Sequence, residues 1–296
     1  MKRCGFAFLI LVSLACSLRA EEVTVPGGKV ELHFDNSASK NLQRQVEIWV
    51  QRAGKAVATY YHGYPVRDAV LEVQFVAGHG ASGQASGWNG RRINITLSRS
   101  ITPAELTDDW TLTHEMLHLA FPSVPERHHW IEEGIATYVE PIARARAGLL
   151  TPERIWGDMV EGMPQGLPER GDRGLDHTPT WGRTYWGGAL FCLRADVEIR
   201  RRTQNRFGLE HALRAIVEAG GTIDVDWPLE RVIAVGDRAT GVPVLREIYD
   251  EMKAAPDPVD LPALWKQLGV ERQGQTIRFH ADAPLAAIRE AITKGQ

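Results

Sequence analysis

The chain has 296 residues, 44% of them hydrophobic and 24% charged, which indicates a globular protein of one or two domains and excludes a disordered or collagen-like chain. Its formal charge is −3 at pH 7, from 34 basic and 37 acidic side chains. Because a nucleic-acid binder neutralises phosphates with an excess of basic side chains, this balance predicts no nucleic-acid partner.

The first twenty residues have the pattern of an export signal. A positively charged start and an apolar run over residues 6–15 precede Ala20, and the run is too short to span a bilayer as an ordinary helix. Removing residues 1–20 takes three basic residues and no acid, so the charge of the remaining chain is −6. We therefore expect a signal peptide over residues 1–20 and an exported protein, periplasmic or secreted, over residues 21–296.

The processing of this signal has alternatives. Leu18 is larger than the small residue that usually stands three positions before a cleavage site. Cys16 follows Leu14-Ala15, as the lipidated cysteine of a lipoprotein does, although Ser13 stands where that motif has leucine. Soluble export is the favoured interpretation. The alternatives are a lipid anchor at Cys16 and an uncleaved membrane anchor.

The predicted secondary structure begins with strands. Alternating apolar residues predict strands at 30–34, 70–76 and 92–97, and helical spacing predicts a long helix at 39–61. The glycine-rich segment 78–90, between the last two strands, is expected to be a flexible connection.

Helices dominate the later part of the chain. Thr102-Pro103-Ala104-Glu105 combines an N-cap, a proline suited to the first helical position and the glutamate of a capping box, so a helix is predicted from there to about Phe121. A second helix is predicted from about 129 to 139, with continuation past Pro141 as an alternative, and an irregular loop at 157–182. The remaining predictions are helices at 184–201, 209–219, 229–235, 244–253, 262–268 and 284–293, and a strand at 276–280.

The segment Thr-His-Glu-Met-Leu-His at 113–118 lies within the predicted capped helix. His114 and His118 are four residues apart, so both imidazoles share one helix face and can bind the same metal ion. Glu115 is turned about 100° to the side. There it can reach a water on the metal without binding the metal itself.

The next predicted helix contains two adjacent acids, Glu132 and Glu133. A helical hairpin would bring Glu133 against the open side of the histidine pair, giving two histidines and one glutamate with a fourth position for water. Gly134 has no side chain, which allows a close approach of that helix to its neighbour. One zinc ion is the expected cofactor, although the same ligands also accept other divalent ions.

Three segments resemble the gluzincin metallopeptidases, in particular the aminopeptidase N and thermolysin-like group and its smaller peptidase-MA-like relatives. They are His-Glu-x-x-His at 114–118, Trp-Ile-Glu-Glu-Gly-Ile-Ala at 130–136, similar to the family's Trp-Leu-x-Glu-Gly-Phe-Ala, and Tyr-Trp-Gly-Gly-Ala-Leu at 185–190, similar to the family's Tyr-x-Lys-Gly-Ala. The resemblance implies that Glu133, and not Glu132, is the third zinc ligand. It also implies that Tyr185 stabilises the oxyanion.

The sequence departs from the family pattern in two places. Glu133 follows His118 sooner than in the large aminopeptidases, which implies a shorter connection between the two helices. The family's Gly-x-Met-Glu-Asn segment, whose glutamate holds the free amino terminus of a substrate, has no counterpart, because the nearest candidate, residues 87–92, contains no acid. Aminopeptidase specificity is therefore not predicted.

The resemblance implies hydrolysis of peptide bonds in a peptide or protein substrate. Glu115 would be the general base and Tyr185 a donor to the oxyanion, and strand 92–97, as an edge strand, would pair with an extended substrate. Two alternatives stand beside this function. One is a non-catalytic scaffold that binds zinc or a partner protein, and the other is a zinc amidase that acts on a non-protein amide or on cell-wall peptides.

The order of a small sheet followed by helices predicts an α+β fold, and the resemblance implies a zincin-like catalytic core. Residues 21–296 are expected to form a single unit, with a sheet-containing lobe at 21–121 and a helical lobe at 122–296.

Several residues near these motifs have simpler interpretations. His128 and His129 are interpreted as exposed loop or helix-start residues rather than metal ligands, and Asp176 as a loop residue for which no chemistry is indicated. Trp181 and Trp186 are interpreted as core residues or as the wall of a pocket.

Overall fold

The computed structural model describes residues 21–35 and 37–295. The predicted signal, with the candidate lipid anchor at Cys16, lies outside the described residues, so both stay predictions. Within the described part of the chain, no helix combines the length and the apolar character that crossing a membrane requires.

The first layer of the fold is a mixed five-stranded sheet. Its strands are β1 (Glu21–Val25), β2 (Gly28–Phe34), β3 (Asp68–Val76), β4 (Ala81–Ser86) and β5 (Arg92–Ser98). Their spatial order is β1-β2-β3-β5-β4. β2, β3 and β5 run parallel to one another, whereas β1 and β4 pair antiparallel with β2 and β5.

The central strands follow the predicted alternation. β3 buries every second residue from Ala69 to Phe75, and β5 does the same from Ile93 to Leu97. Helix α1 (Lys40–Tyr61) begins after Ser39, whose hydroxyl accepts a hydrogen bond from the Leu42 amide at 3.2 Å. α1 packs on β1 and on the helices that carry the histidines and Glu133.

The glycine-rich segment 78–90 contains a strand, which the sequence did not predict. β4 pairs along its whole length with β5 and forms the edge of the sheet. β5 is therefore paired on both sides, and the prediction that it is an edge strand open to a substrate is wrong. Ala, Ser and Gly have weak strand propensity, so β4 depends on its main-chain pairing rather than on its side chains.

The helix predicted from Thr102 onward is two helices. They are α2 (Pro103–Asp108) and α3 (Thr111–His118). The capping box is present, since the Thr102 hydroxyl accepts from the Glu105 amide at 3.2 Å and the Glu105 carboxylate accepts from the Thr102 amide at 2.7 Å. The chain leaves the helical conformation at Asp109, whose carboxylate accepts from the Thr111 amide at 2.8 Å. Asp109 thus ends one helix and satisfies a free amide of the next.

The rest of the chain is mainly helical. It forms α4 (His129–Arg146), α5 (Pro152–Gly162), α6 (Gly188–Arg202), α7 (Leu209–Glu218), α8 (Leu229–Thr240), α9 (Val244–Met252), α10 (Leu261–Leu268), the hairpin of β6 (Val270–Gln273) and β7 (Thr276–Phe279), and α11 (Ala286–Lys294). α5 occupies the start of the segment 157–182, which was predicted to be irregular throughout. Buried apolar side chains form one core from the sheet through α1 and α4 to α6 and the C-terminal helices. The predicted α+β fold, a small mixed sheet followed by helices, is confirmed.

Candidate metal centre

Three potential metal ligands meet between α3 and α4. His114 and His118 lie one turn apart on α3, and Glu133 lies on α4. Glu133 Oε2 is 3.1 Å from His114 Nε2 and 3.7 Å from His118 Nε2. One ligand atom from each of the three residues lies within 4.8 Å of the others. The structure therefore brings together the three residues predicted to bind the metal.

The electrostatics of this cluster favour metal binding. Burial lowers the pKa of His118 to about 3, and the neighbouring His114 acts in the same direction, so the His118 imidazole is neutral at pH 7. Burial acts to raise the pKa of Glu133, but its hydrogen bonds to His114 and His129 hold that pKa well below its usual range. A neutral imidazole and an ionised carboxylate are the forms that bind a metal ion.

Glu115 lies beside this cluster and faces strand β4. Its burial raises the pKa of the carboxyl to about 7, and the charge of Glu133 adds to the rise. A Cβ atom on Gly83 of β4 would lie 2.6 Å from Glu115 Cγ, so a side chain there would displace the glutamate. The backbone amide of Ala85, in the same strand, acts in the opposite direction and lowers the pKa of Glu115. Sequence reasoning missed Gly83, because its role depends on a strand that the sequence did not predict.

Tyr185 lies in a short π-helical turn, Arg183–Gly187, immediately before α6. Such turns are frequent at functional sites. Its ring stacks against His114, with centroids 6.3 Å apart, and against Trp181, with centroids 5.6 Å apart. Burial raises the pKa of the Tyr185 hydroxyl to about 12, and the Glu133 carboxylate adds to the rise. The hydroxyl is therefore a hydrogen-bond donor at neutral pH, located at the cluster.

Two glycines allow α4 and α6 to approach closely at this point. A Cβ atom on Gly134 would overlap the backbone of Gly188, and a Cβ atom on Gly188 would overlap the carbonyl oxygen of Trp130. Gly134 is next to Glu133, and Gly188 is three residues after Tyr185. The glycine contact thus sets the distance between the helices that carry these two side chains, as the sequence predicted for Gly134.

We expect Gly134→Ala to destabilise the protein. The added methyl group overlaps the Gly188 backbone, which cannot rotate away, and such overpacking costs about 1–3 kcal/mol. Thermal unfolding should show this as a Tm several degrees lower. Gly157→Ala is the matched control, because a Cβ atom on Gly157, inside α5, meets only the Ile277 side chain at 3.6 Å. Equal Tm values for the two variants would contradict the close approach of the helices.

Glu132 and His129 form a second layer around the cluster. His129 Nδ1 lies 2.8 Å from Glu132 Oε2, and His129 Nε2 lies 3.4 Å from Glu133 Oε1. Both hydrogen bonds raise the pKa of His129, which is about 10, and the bond to Glu132 has the larger effect. Glu132 also accepts from the Val124 amide at 2.9 Å. Glu132 therefore holds His129 and the preceding loop, and Glu133 alone of the two acids joins the histidine pair.

The interpretation of His128 as an exposed residue is wrong. Its side chain is 1% exposed, and its Nδ1 lies 2.9 Å from Asp176 Oδ1. The same carboxylate accepts from Trp130 Nε1 and from the Tyr249 hydroxyl, each at 2.8 Å. Asp176 thus holds the start of α4 in place, and this role was missed because its partners are 46 to 73 residues away in sequence.

The cluster lines a cleft of about 1000 Å³. β4 forms one wall, and Phe121, Ser123 and His129 contribute to the lining. A smaller cavity of about 340 Å³ adjoins the cleft, and Trp110, His114 and Tyr185 line both. Trp181 and Trp186 line the smaller cavity, in accord with their interpretation as pocket wall.

Comparisons with known proteins find similarity in structure only. No protein-family model and no curated protein matches the sequence. An aminopeptidase N family protein from Idiomarina loihiensis has a TM-score of 0.65 and 15% identity, over 87% of this chain and 50% of that chain. A two-domain M1 zinc metallopeptidase, a mutant bound to L-arginine, has a TM-score of 0.50 and 13% identity, over 81% of this chain and 54% of that chain. The chain therefore spans about half the length of these structures.

These likenesses establish the fold. The chain has the gluzincin-like fold that M1 zinc metallopeptidases share, and within it a His-His-Glu cluster of the kind that holds a metal ion. The resemblance to gluzincins is thus confirmed at the level of the fold. The narrower relation to small peptidase-MA-like proteins stays a prediction.

Proposed function

We propose that this protein is a zinc-dependent peptidase whose general base is Glu115. One observation carries the proposal: the buried carboxyl of Glu115 lies beside a cluster of two histidines and a glutamate, in an open cleft. Solved structures with this fold include zinc metallopeptidases, which supports the proposal at the level of the fold.

The residues present fit a single zinc ion. Two imidazoles and one carboxylate, with a position left for water, are the donor set of catalytic zinc sites. His114, His118 and Glu133 offer this set with ligand atoms within 4.8 Å of one another. When bound, zinc supplies a Lewis acid that makes water more acidic and polarises a carbonyl group.

Glu115 and Tyr185 have different roles in the reaction. Glu115 takes a proton from the attacking water and later gives it to the leaving amine. The Tyr185 hydroxyl donates a hydrogen bond to the carbonyl oxygen as negative charge develops on it. The main chain of β4 pairs with an extended substrate, because β4 is the edge strand beside the cleft.

The burial of Glu115 favours a catalytic protein over a binding scaffold. A buried carboxyl whose pKa is raised destabilises the folded protein at neutral pH, because the ionised form has lost its hydration. A scaffold needs no such group beside its metal ligands. We further propose that residues 1–20 direct export and that the substrate is an extracytoplasmic peptide or protein.

The function is tested by metal analysis together with a peptide digest. The purified protein should contain one zinc ion per chain and cleave members of a broad peptide library, and a chelator should stop cleavage until zinc is restored. Bound zinc without cleavage of any peptide would contradict the proposal in favour of a scaffold. Cleavage of cell-wall peptides alone would assign the protein to the amidases.

Tyr185→Phe should lower kcat by about 10²–10³-fold with unchanged zinc content, because one donor to the oxyanion is lost. Phenylalanine keeps the ring contacts with His114 and Trp181. The measurement is kcat and KM together with zinc per chain. Tyr64→Phe is the control, since the buried Tyr64 hydroxyl has no hydrogen-bond partner within the described part of the chain. A similar kcat in both variants would remove Tyr185 from the mechanism.

A further inference from the structure

The smaller cavity lies next to the catalytic cleft. Trp110, His114 and Tyr185 line both spaces, so the cavity begins at the proposed metal ligand and at the proposed oxyanion donor. Its volume of about 340 Å³ is at the lower end of the range for ligand pockets, about 300–1,000 Å³. A substrate residue next to the reacting carbonyl can therefore place its side chain there.

Aromatic rings form much of the wall of this cavity. Trp110 and Trp181 are 53% and 61% exposed, and Trp186 and Tyr185 also line the cavity. The Trp181 ring stacks on Tyr185 at an interplanar angle of 26°, and the Trp110 ring meets His114 edge to face with centroids 5.3 Å apart. Two exposed indole rings at one cavity present large apolar surfaces that a ligand can cover.

The charged side chains of the wall are already paired with one another. Arg144 donates a hydrogen bond to Glu140 at 2.9 Å. Arg154 lies 2.9 Å from Asp158 and 3.6 Å from Asp108. These pairs occupy both guanidinium groups and leave the carboxylates in excess, which disfavours an anionic ligand. The aromatic rings of the wall offer the surface that a flat apolar group can cover.

We propose that this cavity binds the aromatic or large apolar side chain of a substrate residue adjacent to the scissile bond, and that Trp110 and Trp181 determine this specificity. The inference rests on the proposed function, since it identifies the class of substrate for the same cleft. Stacking against the indole rings favours a flat side chain over a small or anionic one.

The test compares peptides that are identical except for Phe, Ala, Lys or Glu at one position next to the cleaved bond. The Phe peptide should have a kcat/KM at least about tenfold above that of the Ala peptide, and Trp181→Ala should lower this Phe-to-Ala ratio by about tenfold. Trp88→Ala is the matched control, because Trp88 is 82% exposed and lines the cleft but is outside the smaller cavity. Its Phe-to-Ala ratio should equal that of the unmodified protein.

A binding measurement separates this inference from the proposed function. Zinc-loaded Glu115→Gln protein should bind the Phe peptide about tenfold more tightly than the Ala peptide in calorimetric titration, and the added Trp181→Ala change should remove the difference. Equal affinities, no binding of the Phe peptide, or a preference that survives Trp181→Ala would overturn the inference. An aromatic preference in binding, with no hydrolysis of any peptide by the unmodified protein, would overturn the peptidase proposal and leave standing only the preference of the cavity for an aromatic side chain.

Discussion

Glu115→Gln is expected to lower the rate of peptide hydrolysis strongly while the protein still binds zinc. Glutamine has nearly the same shape as glutamate, but its amide cannot accept the proton of the attacking water. A positioned general base contributes about 10²–10⁴-fold to the rate, so kcat should fall by that factor. His114, His118 and Glu133 are unchanged, and zinc per chain should equal that of the unmodified protein. An unchanged kcat would exclude Glu115 as the general base.

Thermal unfolding of the metal-free protein separates a loss of activity in Glu115→Gln from a loss of folding. Burial raises the pKa of Glu115 from 4.5 to about 7, so at pH 8 the ionised carboxylate lowers the free energy of unfolding. Glutamine removes that buried charge. Glu115→Gln should therefore unfold at a higher Tm at pH 8. The difference should decline as the pH falls from 7 to 4.5, because the carboxyl becomes protonated in the folded chain over this range and in the unfolded chain below it.

Glu133→Gln is expected to remove zinc from the protein, and activity with it. The neutral amide is a poor metal ligand, and it leaves only the two imidazoles to hold the ion. Changes in residues that merely support a metal ligand weaken affinity about 10–100-fold, so loss of a direct ligand should exceed about 100-fold. The measurement is zinc per chain after equilibration with a competing chelator, followed by an activity assay.

Glu132→Gln is the matched control for this experiment. Glu132 is adjacent to Glu133 on α4, but its carboxylate contacts the Val124 amide and His129 rather than the histidine pair. Its loss should weaken zinc binding by no more than about 10–100-fold, because it acts only through His129. Equal zinc loss in the two variants, or greater loss in Glu132→Gln, would contradict the assignment of Glu133.

The same measurement tests which of these two acids, Glu132 or Glu133, binds the metal. The sequence alone could not decide this. Both precede Gly134 in one helical turn, and spacing along the chain does not say which one faces α3. The resemblance to gluzincins favours Glu133. The structure supports that choice with a physical reason, because Glu132 is hydrogen bonded to the loop before α4 and Glu133 lies 3.1 Å from His114.

Short-range patterns made several elements predictable from the sequence. The capping box of Thr102 and Glu105, the alternation of β3 and the spacing of His114 and His118 each involve residues only a few positions apart. Such patterns act through local backbone geometry, which is the same in any protein. The predicted α+β order, the helical histidine pair and the close approach at Gly134 were found in this way.

Other features depend on contacts that are distant in sequence. β4 consists of residues with weak strand propensity and exists because β5 offers its main chain for pairing. Gly83 matters because Glu115 packs against it, and Asp176 matters because it binds His128, Trp130 and Tyr249. None of these partners is visible in the local sequence.

The sequence by itself thus determined the chemistry available to this protein: two imidazoles on one helix face, a carboxyl beside them and a further acid on the next helix. Only the tertiary structure decided how these groups are arranged and tuned. It placed Glu115 under an edge strand where burial raises its pKa to about 7, and it opened an aromatic cavity beside Tyr185. The reason is physical, since burial and cavity shape arise from packing between distant segments, whereas residue type and helical spacing are local.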